Sequence, residues 1–342
     1  MTLRFVDSFD DRSSAQLASK YTSSFAYSIV AAAGRNATAA LRLNGLNGTG
    51  VQKTLDSQGV WIIGFAIKPI ALPSATSIAL VQFLDAGNLQ CQVRYNQDGT
   101  LTIHRNGAAI AAPTSDALQT SVYTYVEMKV KVHATDGYCY IHFDGIEVMA
   151  ALTLDTTLTA NDYANSMLIA SGLSTSAYDA YIDDLYICDA QGGSNNNFLG
   201  DVRIECLLPN GAGGHSDWTP SAGNNYENVD DPANPGPDDD ATYNETNVLA
   251  NYDTFAYPSL VTASGAVVGV AVNLYCRKTD AGARGVKAVT RIGGVDYDNA
   301  ETESVQDNYS MEQSIYEEDP SDSNSWTVAD VNSAEFGYKL ES

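Results

Sequence analysis

Apolar and polar residues alternate with a period of two over much of the first half of the chain. Residues 126–132 show it most clearly, with Val126, Met128, Val130 and Val132 on one side and Glu127, Lys129 and Lys131 on the other. That is the pattern of a half-buried strand. Residues 59–67, Gly-Val-Trp-Ile-Ile-Gly-Phe-Ala-Ile, form a nearly continuous apolar run bounded by Lys68-Pro69. It predicts a central strand covered on both faces. Residues 78–85, 89–96 and 101–105 read as successive strands, parted by Ala86-Gly87-Asn88 and Asp98-Gly99, and 108–112 follows Asn106-Gly107. Asp136-Gly137 and Asp144-Gly145 lead into strands at 138–143 and 146–150, and residues 178–189 close the series. Asn-Gly and Asp-Gly supply the positive φ that two-residue hairpin turns require. A first strand is expected at 5–10, another at 39–43, and a Gly/Asn turn at 45–50. Many short strands, tight turns and few helix signals predict an all-β sandwich or barrel.

The pattern changes near residue 190. Residues 181–188 read as a closing strand, and 200–208 as the opening strand of a second domain, with a Gly/Ser/Asn-rich joint between them. This predicts a first domain at 1–190, a joint at 191–197 and a second, β-rich, sandwich-like domain at 198–342. Residues 209–258 are rich in Gly, Pro, Asn and Asp and read as one long loop region with local turns. Strands are expected again at 266–277, at 285–292 and 294–297 around Gly293-Gly294, at 313–317 and at 337–341. A short helix is expected at 326–336, capped by Ser325.

Composition narrows the classes of function. Hydrophobic content of 44% suffices for packed cores. The net charge is -24, of which -6 falls in residues 1–190 and -18 in 191–342. Such a surface repels phosphate backbones and anionic lipid, so neither nucleic acid nor a membrane surface is an expected partner. No apolar run approaches the ~20 residues of a membrane-spanning helix. The first residues lack a basic-then-apolar leader, and the expectation from this is synthesis and use in the cytoplasm of the producing cell. The five cysteines are scattered singly and read as small buried apolar residues, with pairing across strands or subunits as the alternative.

Acidity leaves room for divalent cations, and two clusters are candidates. Asp183-Asp184 lies in the closing strand, where one carboxylate faces each side unless a bulge intervenes. With Asp7 and Asp10 it forms a candidate calcium site, and the alternative is a strand-end pair that hydrogen-bonds a neighbouring loop. Asp230-Asp231 with Asp238-Asp239-Asp240 is either a cation loop or a solvated acidic loop. No cofactor is expected to be required, with structural calcium as the one candidate. Glu301 and Glu303 alternate as a glycosidase pair would, but sit in a polar stretch. His104 and His142 lie in expected strands, and Gly214-His215-Ser216-Asp217-Trp218 places Ser, His and Asp too close in sequence to form a triad. With no Gly-x-Ser-x-Gly elbow and no phosphate loop, no catalytic residue is assigned and a non-enzymatic protein is expected. Twenty tyrosines suit a saccharide groove or an interface, the latter at Tyr226, Tyr243 and Tyr257.

Two resemblances give these features a setting. Residues 1–190 resemble a laminin-G-like, concanavalin-type jelly roll through Phe5 to Phe9, Trp61 to Lys68, Val126 to Val132, the hairpin from Asp136 to Gly145, and Tyr181-Ile-Asp-Asp-Leu-Tyr-Ile. That fold serves lectins, hydrolases and scaffolds alike. The second half is similar to tailed-bacteriophage virion proteins. Phe198 through Glu205, Trp218-Thr-Pro-Ser, Asn228-Val-Asp-Asp, Asp239-Asp-Ala-Thr-Tyr, Tyr275 through Gly282 and Trp326 through Gly337 carry that likeness, in that order. The resemblance implies a structural virion protein of tail, fibre or capsid decoration, assembled in the host cytoplasm. Its partners would be other virion proteins and further copies of itself. The alternative is a carbohydrate-binding module that recognises host surface glycans.

Overall fold

A computed structural model of the chain describes residues 2–25, 27–44, 50–74, 77–171, 178–232 and 236–342. The expected turn at 45–50 lies outside them except for Gly50, as do residues 233–235 of the acidic loop region. The chain forms two compact units, each discontinuous. One comprises Met1–Asp10 and Tyr21–Ile204, the other Asp11–Lys20 and Glu205–Ser342.

The first unit is a β-sandwich of the jelly-roll class. In chain order its strands are β1 (Leu3–Asp7), β2 (Ser23–Phe25), β3 (Tyr27–Val30), β4 (Ala40–Asn44), β5 (Gly50–Gln58), β6 (Val60–Ala71), β7 (Ser77–Asp85) and β8 (Asn88–Asn96). There follow β9 (Leu101–Arg105), β10 (Ala108–Ala109), β11 (Thr124–Lys131), β12 (Gly137–Phe143), β13 (Ile146–Leu154), β14 (Ala164–Ser171) and β15 (Asp179–Asp189). Sheet A runs β13-β12-β11-β6-β15-β4-β3, with β1 also on β15, and sheet B runs β10-β9-β8-β7-β14-β5-β2. Alternation puts Trp61, Ile63 and Phe65 of β6 against Phe83, Val93, Tyr95 and Ile103 of sheet B, all of them fully buried. Each large apolar side chain so buried contributes roughly 1.5–3 kcal/mol. The Trp61 indole N–H donates to the Ala164 carbonyl at 2.9 Å, a bond that links the two sheets.

β15 pairs with β6 along its length, but on its other side it changes partner. Asp179–Ile182 pairs with β4, and Leu185–Cys188 pairs with β1. A bulge marks the change: Asp183 lies opposite Ala66 while Tyr186 lies opposite Gly64, and Asp184 takes φ +51°. Downstream of the bulge the Tyr186 ring lies flat over β6. A Cβ on Gly64 would stand 2.1 Å from Tyr186 Cε1, so only glycine fits there.

Residues 198–204 are not a strand of the second domain. They lie as an irregular strap on the outer face of sheet A and belong to the first unit, so the change of unit falls after Ile204 and not at 191–197. The buried Glu127 holds the strap: its Oε1 accepts the Tyr186 hydroxyl at 2.5 Å and the Gly200 N–H at 2.9 Å. Arg35 donates to the Val202 carbonyl and pairs with Asp201 at 2.6 Å, and Phe198 packs on the His142 ring. Sequence alone reads 200–208 as a strand because Val202 and Ile204 alternate with polar residues. The structure spends that alternation on docking to a surface, not on a ladder.

The second unit is a six-stranded antiparallel sheet with a two-stranded ribbon and a short pairing of Thr219–Pro220 with Asn244–Glu245. The sheet runs Gly211–Ser216, Tyr252–Ala256, Glu335–Leu340, Gly285–Ile292 and Val295–Asp298, with Glu303–Ser304 also on Gly285–Ile292. The ribbon pairs Val270–Cys276 with Ser310–Tyr316. Trp326, Phe336, Val286, Leu274 and Tyr316 centre its core. Gly211–Ser216 corrects the reading of 209–258 as loop: a Cβ on Gly213 would stand 2.4 Å from the Thr254 carbonyl, so glycine is what lets this edge strand approach. The helix is only Val328–Ser333, and its cap is Thr327, whose hydroxyl accepts the Asp330 N–H. Residues 11–20 join this unit through Asp11, which accepts from Arg12, Lys20 and the Asn273 amide. All five cysteines are free.

Tyr186→Phe removes the hydroxyl from Glu127 and leaves a buried carboxylate short of a donor. The expected cost is about 1–3 kcal/mol, with faster hydrogen exchange in peptides spanning 198–204. Unchanged exchange there would show that Glu127 does not seat the strap.

Candidate functional site

The face of sheet B that points away from the core is polar. Cys91, Val93 and Tyr95 of β8 point inward and are fully buried, so Gln90, Gln92 and Arg94 point outward. On β9 the same alternation turns Thr102 and His104 outward. Strand register then aligns one row across six strands. Ser23 lies opposite Gln52, Gln52 opposite Leu168, Leu168 opposite Gln82, Gln82 opposite Gln92, and Gln92 opposite His104. Thr54 and Ser166 form a flanking row on one side and Arg94 and Thr102 on the other.

The side chains of these rows hold one another in place. Ser23 Oγ donates to Gln52 Oε1 at 3.0 Å, and Gln52 Nε2 donates to Ser166 Oγ at 2.8 Å. Gln82 Nε2 donates to Gln92 Oε1 at 2.9 Å, which leaves Gln82 Oε1 and Gln92 Nε2 without a partner among the described residues. Arg94 is fixed by Ser77, donating from Nε to the hydroxyl at 2.8 Å and from Nη2 to the carbonyl at 2.7 Å. His104 Nδ1 is buried and lacks a partner among the described residues. Burial holds the His104 imidazole below the usual histidine range, the Arg94 charge acts in the same direction, and a backbone bond at Gly107 opposes both. No Asp or Glu stands in the three rows. The arrangement is a set of rigid, partly unspent donors and acceptors with one guanidinium and one neutral imidazole at its end. It can bind a ligand rich in hydroxyl and anionic oxygen.

The sequence points to carboxylate clusters and not to this face, because the row is built from amides on separate strands. Its only local trace is the alternation Gln90-Cys-Gln-Val-Arg-Tyr, and strand register alone brings Gln52 and Gln82 beside it.

The structure places Asp7, Asp10, Asp183 and Asp184 together where β15 changes partner, and there each accepts a hydrogen bond from irregular backbone. Asp183 takes the Arg35 N–H at 2.8 Å, Asp184 the Ile204 N–H at 2.8 Å, Asp7 the Phe9 N–H at 2.9 Å and Asp10 the Ala39 N–H at 2.7 Å. The Arg35 guanidinium stands 3.1 Å from Asp184 Oδ2. Burial lifts Asp183 to about 7 and Asp10 to about 6, and the neighbouring Asp184 charge adds to both. Among the described residues no group of three or more His, Cys, Asp or Glu side chains is arranged to hold a metal.

The other candidates are dispersed. Asp239 accepts the Tyr275 hydroxyl at 2.8 Å, and Asp240 accepts from Arg277 and from the Tyr309 hydroxyl, which ties the acidic loop to the ribbon. Glu301 is exposed, and Glu303 takes a bond from Ser314, so the two do not form a facing pair. His215 finds its carboxylate in Asp296, at 2.9 Å, and not in Asp217. Tyr243 is exposed, Tyr226 half-buried, and Tyr257 packs on Phe336. Among the described residues no helix is long and apolar enough to cross a membrane.

No protein-family model and no curated protein matches the chain. Similar solved structures include the cellulose-induced protein Cip1, with 10% identity over 47% of this chain and 84% of that one, at a TM-score of 0.37. The alginate lyase AlgAT5 of polysaccharide lyase family 7 has 12% identity over 54% and 92%, at 0.36. A Trypanosoma rangeli sialidase mutant displaying trans-sialidase activity has 13% identity over 47% and 27%, at 0.35. Such likeness bears on the fold alone. It does correct the expectation of a non-enzymatic protein: these structures include enzymes, so a sandwich of this kind gives no ground for excluding catalysis.

The aspartate cluster makes a prediction about pH. A carboxyl whose pKa is raised on folding stabilises below its unfolded value, about 3.9, and loses that contribution as pH rises through the folded value. The first unit is therefore expected to lose stability between about pH 4 and about pH 8, by on the order of 1–4 kcal/mol from Asp183. Asp183→Asn should flatten the loss, measured as urea-dependent hydrogen exchange of β6 peptides. Because backbone N–H groups and Arg35 already occupy these oxygens, calcium should leave the wild-type midpoint unmoved.

Proposed function

We propose that the first unit is a carbohydrate-binding module and that its contact surface is the outer face of sheet B. The observation that carries this reading is the six-strand row from Ser23 to His104. Gln82 Oε1 and Gln92 Nε2 stand side by side as an open acceptor and an open donor, the complement of neighbouring hydroxyls on a sugar ring. They sit on paired strands, where the geometry is held more closely than on loops. A catalytic reading of the same face rests on the unpartnered Nδ1 of His104 beside Arg94, a base next to a cation. Release of new reducing ends from a bound polysaccharide is the measurement for it.

The setting we propose is adsorption of a tailed-phage particle to host surface glycans. The second unit would make the contacts to other virion proteins and to further copies of the chain. This part is supported by the ordered motif residues between Phe198 and Gly337. Mass spectrometry of purified virions that lack the protein would overturn it.

On a glycan array the intact protein should be retained by at least one bacterial surface polysaccharide. Gln82→Ala and Gln92→Ala should each weaken that binding by about 2- to 10-fold, while Tyr226→Ala in the second unit leaves it unchanged. Retention by no glycan would sink the carbohydrate reading.

A further inference from the structure

Most arginines of the first unit are neutralised by an aspartate. Arg4 pairs with Asp189, Arg35 with Asp184 and Asp201, Arg42 with Asp179, and Arg105 with Asp155. Arg94 is different. Its partner is the neutral Ser77, which takes Nε and Nη2, and among the described residues Nη1 has no protein acceptor. Nor is it a fully solvated surface arginine: burial lowers its pKa, and no carboxylate offsets that effect.

The position adds to this. Arg94 lies opposite Thr102 and His104 lies opposite Gln92, so Arg94 and His104 are diagonal neighbours on one face of the β8–β9 ladder. The His104 Nδ1 is buried and unpartnered. The groups around the pair are neutral: Gln92 and Gln82 in the row, Thr102 beside Arg94, and Ala109 of β10 opposite His104. In a chain of net charge -24, a half-buried guanidinium kept clear of carboxylates is a place prepared for an anion from outside. A neutral sugar would be served by the amides alone. A carboxylate is planar and takes hydrogen bonds from a guanidinium edge and an imidazole together.

We propose that the ligand of this face is an acidic saccharide whose carboxylate is held by Arg94 and His104, a proposal that rests on the carbohydrate reading above. The amide row holds the ring hydroxyls and fixes the register, and the cationic end selects uronic or similarly acidic units. On binding, His104 takes a proton from solvent, since an anion beside the ring raises its affinity for one.

The experiment uses the intact protein and two probes of one backbone, polygalacturonate and its fully methyl-esterified form, followed by calorimetry at near-physiological salt. The acidic polymer should bind at least about tenfold more tightly than the ester, the worth of about one charge-assisted hydrogen bond. Arg94→Gln should abolish that preference and leave ester binding intact, and Arg94→Lys should restore part of it. Wild-type affinity for the acidic polymer should fall between about pH 5 and about pH 8, and His104→Gln should flatten that profile. Ester binding by both Arg94 variants reports that they are folded. Equal binding of the two polymers, unaffected by Arg94→Gln, overturns the acidic-ligand proposal and leaves the carbohydrate reading standing. Binding of neither polymer, with no retention on the glycan array, overturns both.

Discussion

The change of partner along β15 is the constraint on which the first unit depends. A strand with β6 on one side and two different strands in succession on the other must leave a gap where the second side switches. At that gap three stretches of chain, at Phe9, at Arg35 to Ala39 and at Ile204, arrive with four backbone N–H groups and no ladder to receive them. Asp7, Asp10, Asp183 and Asp184 take those donors. An unmet buried N–H costs as much as a lost hydrogen bond, so the carboxylates are structural acceptors even though burying them raises their pKa. The bulge that makes room for them also turns Tyr186 onto Gly64 and so sets the seat of the strap.

Much of this architecture is legible in the sequence and some of it is not, for reasons that separate cleanly. The hairpins at Asp98-Gly99, Asn106-Gly107, Asp136-Gly137 and Asp144-Gly145 announce themselves because positive φ has few residue solutions. The alternation at 126–132 survives because β11 has one face in the core. Features that arise from pairing leave no local mark. Gly64 reads as one small residue in an apolar run, and its reason lies 122 positions away at Tyr186. The strand at Gly211–Ser216 is hidden by its glycines, which read as loop until the neighbouring backbone is known. The row of sheet B belongs to the same class: Gln52, Gln82 and Gln92 are unremarkable singly and become a surface only through register.

The two ways in which the first unit treats polar groups also differ in kind. At the switch point of β15, donors and acceptors are matched within the chain, and the cation present, Arg35, is spent on Asp184 and Asp201. On the outer face of sheet B the matching is incomplete, with an amide pair, a ring nitrogen and a guanidinium edge left over. Buried or half-buried polar groups are normally satisfied, and that departure is what supports the ligand surface proposed above.

The path of the chain through its two units has a consequence for synthesis. β1 leaves the ribosome some 180 residues before its partner segment Leu185–Cys188. Asp11 waits longer still, because Asn273, whose amide donates to it, lies 262 residues further along the chain. The first unit therefore cannot close until Leu185–Cys188 has been made, nor the second until Asn273 has. Each unit thus holds a segment that stays unclaimed over a long span of synthesis, and pairing of such high sequence separation is slow to form.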